Sequence, residues 1–192
     1  MLIKSSVIFT RTYVIFFLLC TALTHAQLEP GKYISVNVGL GLSAPDDDSE
    51  AGGTGFYAHG EYLVSVYKWF SIRPYVGLVN TNPLNPDRAL DQLGYEVTTK
   101  ALFFGSKIRL AAPIPYVAPF IETGMGLSVG AFKTYTEYTD INKKGVFTHI
   151  PFSMGLALGK HNNFELGFTY QFHQTVKQSS GTIALGYNFA LD

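Results

Sequence analysis

The sequence contains almost no cysteine: Cys20 is the only one among its 192 residues. Because Cys20 lies within a stretch with the features of an export signal, we expect the mature protein to have no disulfide bonds. No apolar run of about 18 residues follows residue 26, so no transmembrane helix is predicted there. Only helices and closed β-barrels satisfy every backbone hydrogen bond in lipid. A membrane-spanning form of this chain must therefore be a closed barrel.

The sequence also has no excess of positive or negative charge, because it contains 14 basic and 14 acidic residues. Removal of Lys4 and Arg11 with the signal leaves 12 basic residues, and this near balance argues against a nucleic-acid partner. Metal-ligand spacing is absent around His59, His161 and His173. The acidic run Asp46–Asp48 lacks the alternation of a calcium loop, so we interpret it as a solvated loop tip. No cofactor or metal is predicted.

Residues 1–26 have the organisation of a signal peptide, and residues 27–192 are predicted to form one domain. Lys4 and Arg11 form a positive region, Tyr13–Leu23 is apolar except for Thr21, and the stretch ends at the small residue Ala26. The apolar part is about 11 residues long, too short to span a bilayer as a helix. A retained anchor and lipidation at Cys20 are the alternatives, the latter disfavoured by the large Leu19 before the cysteine.

Strict two-residue alternation dominates the C-terminal part. From Phe164 to Phe172 every even position is large and apolar, whereas the odd positions between them and His173 are small or polar. This period predicts β-strands with two different faces. The polar face contains many glycines, which suits a crowded interior, and the bulky face suits lipid. A soluble lipocalin-like barrel, with a large apolar interior, is the alternative.

The same alternation predicts eight strands, and hence an all-β, eight-stranded antiparallel up-and-down transmembrane barrel. Long polar connections alternate with short turns, which indicates four external loops and periplasmic termini. Pro74, Pro119 and Pro151 lie inside predicted strands and lack an N–H, so we expect incomplete pairing near the first two and a bulge or a shortened strand at Pro151. The predicted strands are Tyr33–Leu42, Gly55–Val66, Ser71–Val79, Val97–Leu110, Tyr116–Ala131, Val146–Leu158, Phe164–His173 and Ile183–Phe189.

Six charged residues fall on the predicted inward face. A charge in so narrow a space must be paired, so we interpret them as ion pairs that fill the bore, Glu61 with Arg73 and Lys107 with Glu122. A charged lumen that conducts a solute is the alternative interpretation. The six are Glu61, Arg73, Lys107, Arg109, Glu122 and Glu165.

A hydrolase arrangement of His149, Ser153 and Glu165 is a further alternative. Four residues along a strand span about 13 Å, so His149 and Ser153 are not expected to touch. No catalytic residue is therefore predicted. Aromatic residues near both strand ends are typical of membrane-interface girdles. They are Tyr67, Trp69, Phe70, Tyr116, Phe164 and Phe189 at one end, and Phe56, Tyr135, Tyr138 and Phe172 at the other.

The chain resembles small outer-membrane barrels that include OmpA-type and OmpX-type domains. The segments GEYLVSVYKWFSIRPYVGL and PFIETGMGLSVGAF resemble barrel proteins of Bacteroidetes-type bacteria, and the ending GYNFALD is similar to the aromatic-terminated assembly signal of such barrels. In GYNFALD three residues follow the phenylalanine, which departs from that signal. The resemblance implies an outer-membrane location with lipid and the barrel-insertion machinery as partners.

We therefore expect an outer-membrane barrel with a structural or surface-interaction role. It would act without catalysis, with its external loops as the interaction surface. The sequence does not identify the partner that these loops bind. A narrow solute channel and a lipid-modifying enzyme remain as alternatives.

Overall fold

The protein forms eight β-strands in a computed structural model that describes residues 29–49, 51–84, 93–173 and 175–191. The predicted signal at residues 1–26 lies outside this part of the chain. No helix in the described ranges is long and apolar enough to cross a membrane. The strands are β1 (Gly31–Pro45), β2 (Gly52–Tyr67), β3 (Phe70–Leu84), β4 (Glu96–Ala111), β5 (Tyr116–Tyr135), β6 (Asp140–Gly159), β7 (Phe164–His173) and β8 (Gln178–Leu191).

The strands close into a single barrel in sequence order. Each pairs antiparallel with its neighbours, and β1 pairs with β8 from Lys32 opposite Leu191 to Pro45 opposite Gln178. The predicted fold class is thus confirmed. We call the end at which β1 begins and β8 ends the terminal end, and the opposite end the loop end.

The pairing register fixes the shape of the barrel. A path of paired residues that leaves β1 at Lys32 and crosses all eight strands returns to β1 at Leu42, a stagger of ten residues. With ordinary strand spacings, eight strands and this stagger give a tilt of about 41° and a backbone radius of about 8 Å. Such a radius leaves room inside only for side chains.

The outward side chains of the strands are mostly apolar, whereas most inward ones are polar or charged, with a few buried apolar residues such as Leu63, Phe103 and Phe132 among them. Leu185 is 64% and Val76 60% exposed, whereas Glu122 is 3% and Arg73 0% exposed. This distribution is the reverse of a soluble lipocalin-like barrel, and that alternative is wrong. In a closed barrel all backbone hydrogen bonds are made within the protein, and the apolar exterior suits contact with lipid acyl chains.

Aromatic side chains lie on the exterior near both ends. Tyr67, Trp69 and Phe164 are exposed towards the terminal end and Phe56 and Phe172 towards the loop end, whereas Tyr138 of the predicted band lies in the turn between β5 and β6. Tyr67 and Trp69 stack with ring centroids 5.8 Å apart. The exterior therefore carries two aromatic bands, as expected for side chains at membrane interfaces. Phe70 of the predicted bands is only partly exposed.

The strands are longer than predicted at the loop end. Residues 132–145, predicted as a loop, lie almost entirely in strand, since β5 continues to Tyr135 and β6 begins at Asp140. The predicted loop 44–53 and the described parts of 80–96 and 174–180 shorten in the same way. Backbone pairing does not need an apolar face, and polar strands can therefore continue beyond the lipid.

The prolines interrupt pairing without ending a strand. Pro151 lies within β6 opposite Gln171 of β7, and the β5–β6 pairing keeps one register on either side of it. Only Gly124 and Met125 of β5 lack a paired partner on β6 there. The predicted bulge or shortened strand at Pro151 is therefore wrong. A proline removes one N–H, and the barrel skips that part of the ladder.

Gly126 makes space for polar rings inside the barrel. A Cβ built on Gly126 would overlap the Tyr75 hydroxyl and lie 2.6 Å from His149 Nε2. At Gly60, which faces outward, the nearest atom to an added Cβ is Ser35 O at 3.8 Å.

We predict that Gly126→Ala destabilises the folded barrel by about 1–3 kcal/mol, because the added methyl group forces Tyr75 and His149 apart. Gly60→Ala is the matched control and should stay within about 0.5 kcal/mol of wild type. Urea unfolding in lipid vesicles measures both values. Equal effects of the two substitutions would contradict the crowding argument.

Candidate functional site inside the barrel

Five strands deliver the six inward charges to one level of the bore. Glu61 comes from β2, Arg73 from β3, Lys107 and Arg109 from β4, Glu122 from β5 and Glu165 from β7. We call these six residues the charge layer. All six are at most 7% exposed. A barrel of this radius allows strands on opposite sides to reach one another with long side chains.

Arg73 contacts all three carboxylates. Its Nε lies 2.5 Å from Glu61 Oε2, and its Nη1 lies 3.0 Å from Glu122 Oε1 and 3.2 Å from Glu165 Oε1. The contact with Glu61 is an ion pair without the alignment of a hydrogen bond. Arg73 therefore joins β3 to three other strands through one guanidinium.

The two cations of β4 complete the layer. Lys107 Nζ lies 2.6 Å from both Glu61 Oε1 and Glu122 Oε2. Arg109 Nε donates to Glu122 Oε1 at 2.5 Å, and its Nη1 and Nη2 donate to the two oxygens of Glu165 at 2.5 and 2.8 Å. The Arg109 guanidinium also stacks 3.6 Å from the Phe120 ring centroid. The bidentate pair fixes the orientation of both side chains.

Three positive and three negative side chains thus share one buried site. The sequence indicated two separate pairs, Glu61 with Arg73 and Lys107 with Glu122, and the structure contains both contacts. It also joins them through Arg109 and Glu165 into one network. Buried charges are tolerated only when paired and hydrogen-bonded, and here every carboxylate faces at least two cations.

Three further neighbours of this network were not among the predicted site residues. His59 Nε2 lies 2.5 Å from Glu61 Oε1, and Tyr57 Oη lies 2.8 Å from His59 Nδ1. Asn188 donates to Glu165 Oε1 at 2.7 Å. The inward spacing of Tyr57, His59 and Glu61 at every second residue of β2 is a signal that could have grouped them.

A layer of histidines lies next to the charge layer. Tyr75 Oη is 2.6 Å from His149 Nε2, and Ser128 Oγ is 2.9 Å from both His149 Nδ1 and His173 Nε2. The rings of Phe103 and Phe132 pack against these histidines. Both ring nitrogens of His149 are therefore occupied by structural partners.

The hydrolase hypothesis does not match this geometry. Ser153 hydrogen-bonds Thr169 at 2.9 Å, while His149 contacts Tyr75 and Ser128. Glu165 is held by Arg73, Arg109 and Asn188. The three residues of the proposed set thus have separate partners and form no triad.

Hydroxyl and amide groups fill the bore towards the loop end. Ser43 and Thr81 share a hydrogen bond of 2.9 Å, and Gln178 donates to Thr99 Oγ1 at 2.7 Å. Thr134 donates to Gln178 Oε1 at 3.3 Å. These contacts join β1, β3, β4, β5 and β8 across the interior.

Little free volume remains beside these side chains. A cavity of about 20 Å³ lies against the charge layer, and one of about 40 Å³ opens below it towards the terminal end. A single water needs about 10–15 Å³ when volume is measured for probe centres, so each space holds at most a few waters. The interior is thus a packed polar core.

The connections at the loop end are tied together. Thr136 donates to Asp47 Oδ2 at 2.7 Å, and Ser179 donates to Asp46 Oδ1 at 2.7 Å. Partial burial raises the pKa of Asp47, but hydrogen bonds from Thr136, Thr139 and the Ser49 amide outweigh it and place the pKa below its ordinary value. No group of three or more potential metal ligands occurs within the described ranges.

We predict that Arg73→Met destabilises the barrel by about 3–5 kcal/mol, because three carboxylates would then face two cations in a buried site. Lys68→Met removes an exposed charge in the β2–β3 turn and should change stability by at most about 0.5 kcal/mol. Adding Glu165→Gln to Arg73→Met rebalances the layer and should recover part of the loss. Urea unfolding in vesicles measures this series, and a double variant weaker than Arg73→Met would refute the charge-balance argument.

Comparison with known proteins agrees with this architecture. No protein-family model and no curated protein matches the chain. Neisserial surface protein A matches with a TM-score of 0.58 and 11% identity, over 84% of this chain and 97% of that one. Ail of Yersinia pestis matches with 0.48 and 16% over 85% and 99%, and OprG of Pseudomonas aeruginosa with 0.48 and 8% over 86% and 100%.

These likenesses are to small eight-stranded outer-membrane barrels, and at such identities they concern the fold. The apolar exterior and the paired charges inside give this chain the architecture of a transmembrane β-barrel. The Bacteroidetes-type resemblance remains a prediction.

Proposed function

We propose that the protein is a non-conducting, non-catalytic outer-membrane barrel that acts through its loop end as an interaction surface. The observation that supports this most is the packed bore. Charged, histidine and hydroxyl layers cross it in succession, and the spaces beside the charge layer hold only a few waters. A narrow solute channel would need a continuous water-filled path through the bore.

The shape of the loop end supports an outward role. β5 and β6 each contain 20 residues, whereas β7 contains 10. At about 3.3 Å per residue and a tilt of about 41°, a 20-residue strand rises about 50 Å, while the apolar band of a barrel is about 25 Å tall. The β5–β6 hairpin therefore projects well beyond the lipid.

Hydrogen bonds give this projecting surface a defined shape. Asp47 accepts from Thr136 in the β5–β6 turn, and Lys143 donates to Thr175 O in the β7–β8 connection at 2.8 Å. These hydrogen bonds order the connections before a partner binds. Less free energy is therefore lost to ordering them on binding. The loop partner itself is not identified by this chemistry.

We also propose two general partners. Lipid surrounds the exposed apolar belt, and the insertion machinery would recognise the aromatic-rich β8, in which Tyr187 and Phe189 are in contact with ring centroids 4.7 Å apart. A lipid-modifying activity has no assembled His–Ser–Glu set to support it, and no cofactor is proposed.

Planar-bilayer recording tests the proposal. The wild-type protein should give no steady single-channel steps, because paired side chains occupy the bore. The double variant Arg109→Ala with Glu165→Ala stays charge-balanced but removes two large side chains, and should raise the current if it folds. Heat-modifiable migration checks folding, and steady wild-type steps that scale with protein added would overturn the proposal.

Surface labelling tests the orientation. Glu137→Cys places a thiol at the exposed loop-end turn, and Lys160→Cys places one in the β6–β7 turn at the terminal end. A membrane-impermeant maleimide should label the first variant on intact cells and the second only after permeabilisation. The opposite pattern would invert the proposed orientation.

A further inference from the structure

We propose that the outer face of β4–β6 near the loop end is a binding site for a phosphorylated lipid of the outer leaflet. Lys100 and Lys144 would bind the phosphate of the head group. A groove beneath them, floored by Gly105 and Gly126, would take an acyl chain. The inference rests on the proposed orientation, in which the loop end faces outward.

The two lysines lie in register on the exterior. Lys100 of β4 pairs with Ala131 of β5, and Ala131 pairs with Lys144 of β6. Their backbones are thus two strand spacings apart, about 10 Å. The small side chain of Ala131 leaves the space between them open. Two ammonium groups on flexible stems can converge on one phosphate from this distance.

Neither lysine has an ion-pair partner among the described residues, and both are exposed. Lys133, the third outward lysine of this face, is paired with Glu96. Near the loop ends of β1, β2 and β3 the outward residues are uncharged: Ala44, Thr54 and Asn82. The exterior therefore carries unpaired positive charge on one side of the barrel, above the lipid-facing belt.

An apolar groove lies on the same strands, closer to the terminal end than these lysines. It has a volume of about 450 Å³, and its walls include Phe104, Leu127, Ile150 and Phe172 from four successive strands. Gly105 pairs with Gly126, and the backbone of this pair, whose missing side chains would point into the bore, forms part of the floor of the groove. The unpaired stretch at Met125, opposite Ile150, borders the same hollow.

The vertical spacing suits one lipid molecule. Phe104 lies four residues closer to the terminal end than Lys100, about 13 Å along the strand and about 10 Å in depth at a tilt of about 41°. The half-thickness of the hydrocarbon core is about 15 Å. Lys100 thus lies at head-group height when the groove lies within the outer leaflet.

Native mass spectrometry of the detergent-solubilised full chain tests the site with diphosphoryl lipid A as the probe. The double variant Lys100→Ala with Lys144→Ala should bind this lipid about 30-fold more weakly, since each lysine near an anionic lipid surface contributes about fivefold. Lys100→Arg with Lys144→Arg should retain binding. Lys68→Ala with Lys160→Ala removes two charges at the terminal end and should have no effect.

Further probes separate the contributions of phosphate and acyl chains. A fully dephosphorylated lipid A should bind wild type as weakly as diphosphoryl lipid A binds the Lys100/Lys144 double alanine variant. Inorganic phosphate should not displace diphosphoryl lipid A at equal concentration. Thr148→Phe fills the groove from the lipid side and should weaken binding about tenfold, whereas Thr123→Phe, elsewhere on the lipid face, should not.

Equal losses in the Lys100/Lys144 and Lys68/Lys160 double variants would overturn the site. Equally tight binding of the phosphate-free lipid, or full displacement by inorganic phosphate, would also overturn it. Because this assay uses solubilised protein, its failure is distinguishable from a failure of the conductance or labelling experiments.

Discussion

Charge balance in a packed space with room for few waters is the constraint on which this barrel depends. Arg73, Lys107 and Arg109 face Glu61, Glu122 and Glu165, and removing any one member leaves an uncompensated buried charge. The geometry follows from the register, because a ten-residue stagger over eight strands gives a bore that six long side chains can span. The network therefore links opposite walls, and the same contacts that hold the wall together fill the interior.

Because the interior is filled, most of the accessible surface of this barrel is its exterior. The exterior is divided by height into an aromatic band at the terminal end, an apolar belt, a basic patch at Lys100 and Lys144, and acidic loop tips at Asp46–Asp48. Each zone matches a different depth of an asymmetric membrane. A projecting hairpin of β5 and β6 adds a surface that lipid does not cover. The spaces beside the charge layer hold at most a few waters, so the surface that is open to contact is mainly the exterior.

The sequence predicted the features governed by side-chain alternation. Two-residue periodicity identified the eight strands and the inward face of Glu122 and Arg73 correctly, since lipid and bore impose opposite demands on alternate positions. Strand ends at the loop side were wrong because pairing between β5 and β6 continues through polar residues such as Lys133 and Asn142. The prediction of a bulge or shortened strand at Pro151 was wrong because β6 pairs with a strand on each side. Such a strand can lose backbone hydrogen bonds at one position without a change of register. Contacts across the bore, such as that of Arg73 with Glu165, depend on the stagger of the barrel. They cannot be predicted from the spacing of residues along one strand.

The crowded bore and the hollow on the lipid face meet at the same pair of residues. Gly105 and Gly126 are glycines because an added Cβ at either position would point into the bore and approach the Tyr75 hydroxyl. The hollow lies on the opposite face, where the outward side chains of Phe104, Leu127 and Ile150 form its walls and the β5–β6 ladder is unpaired at Met125. Interior packing therefore determines the identity of the two glycines, whereas the exterior groove depends on the large apolar side chains around them.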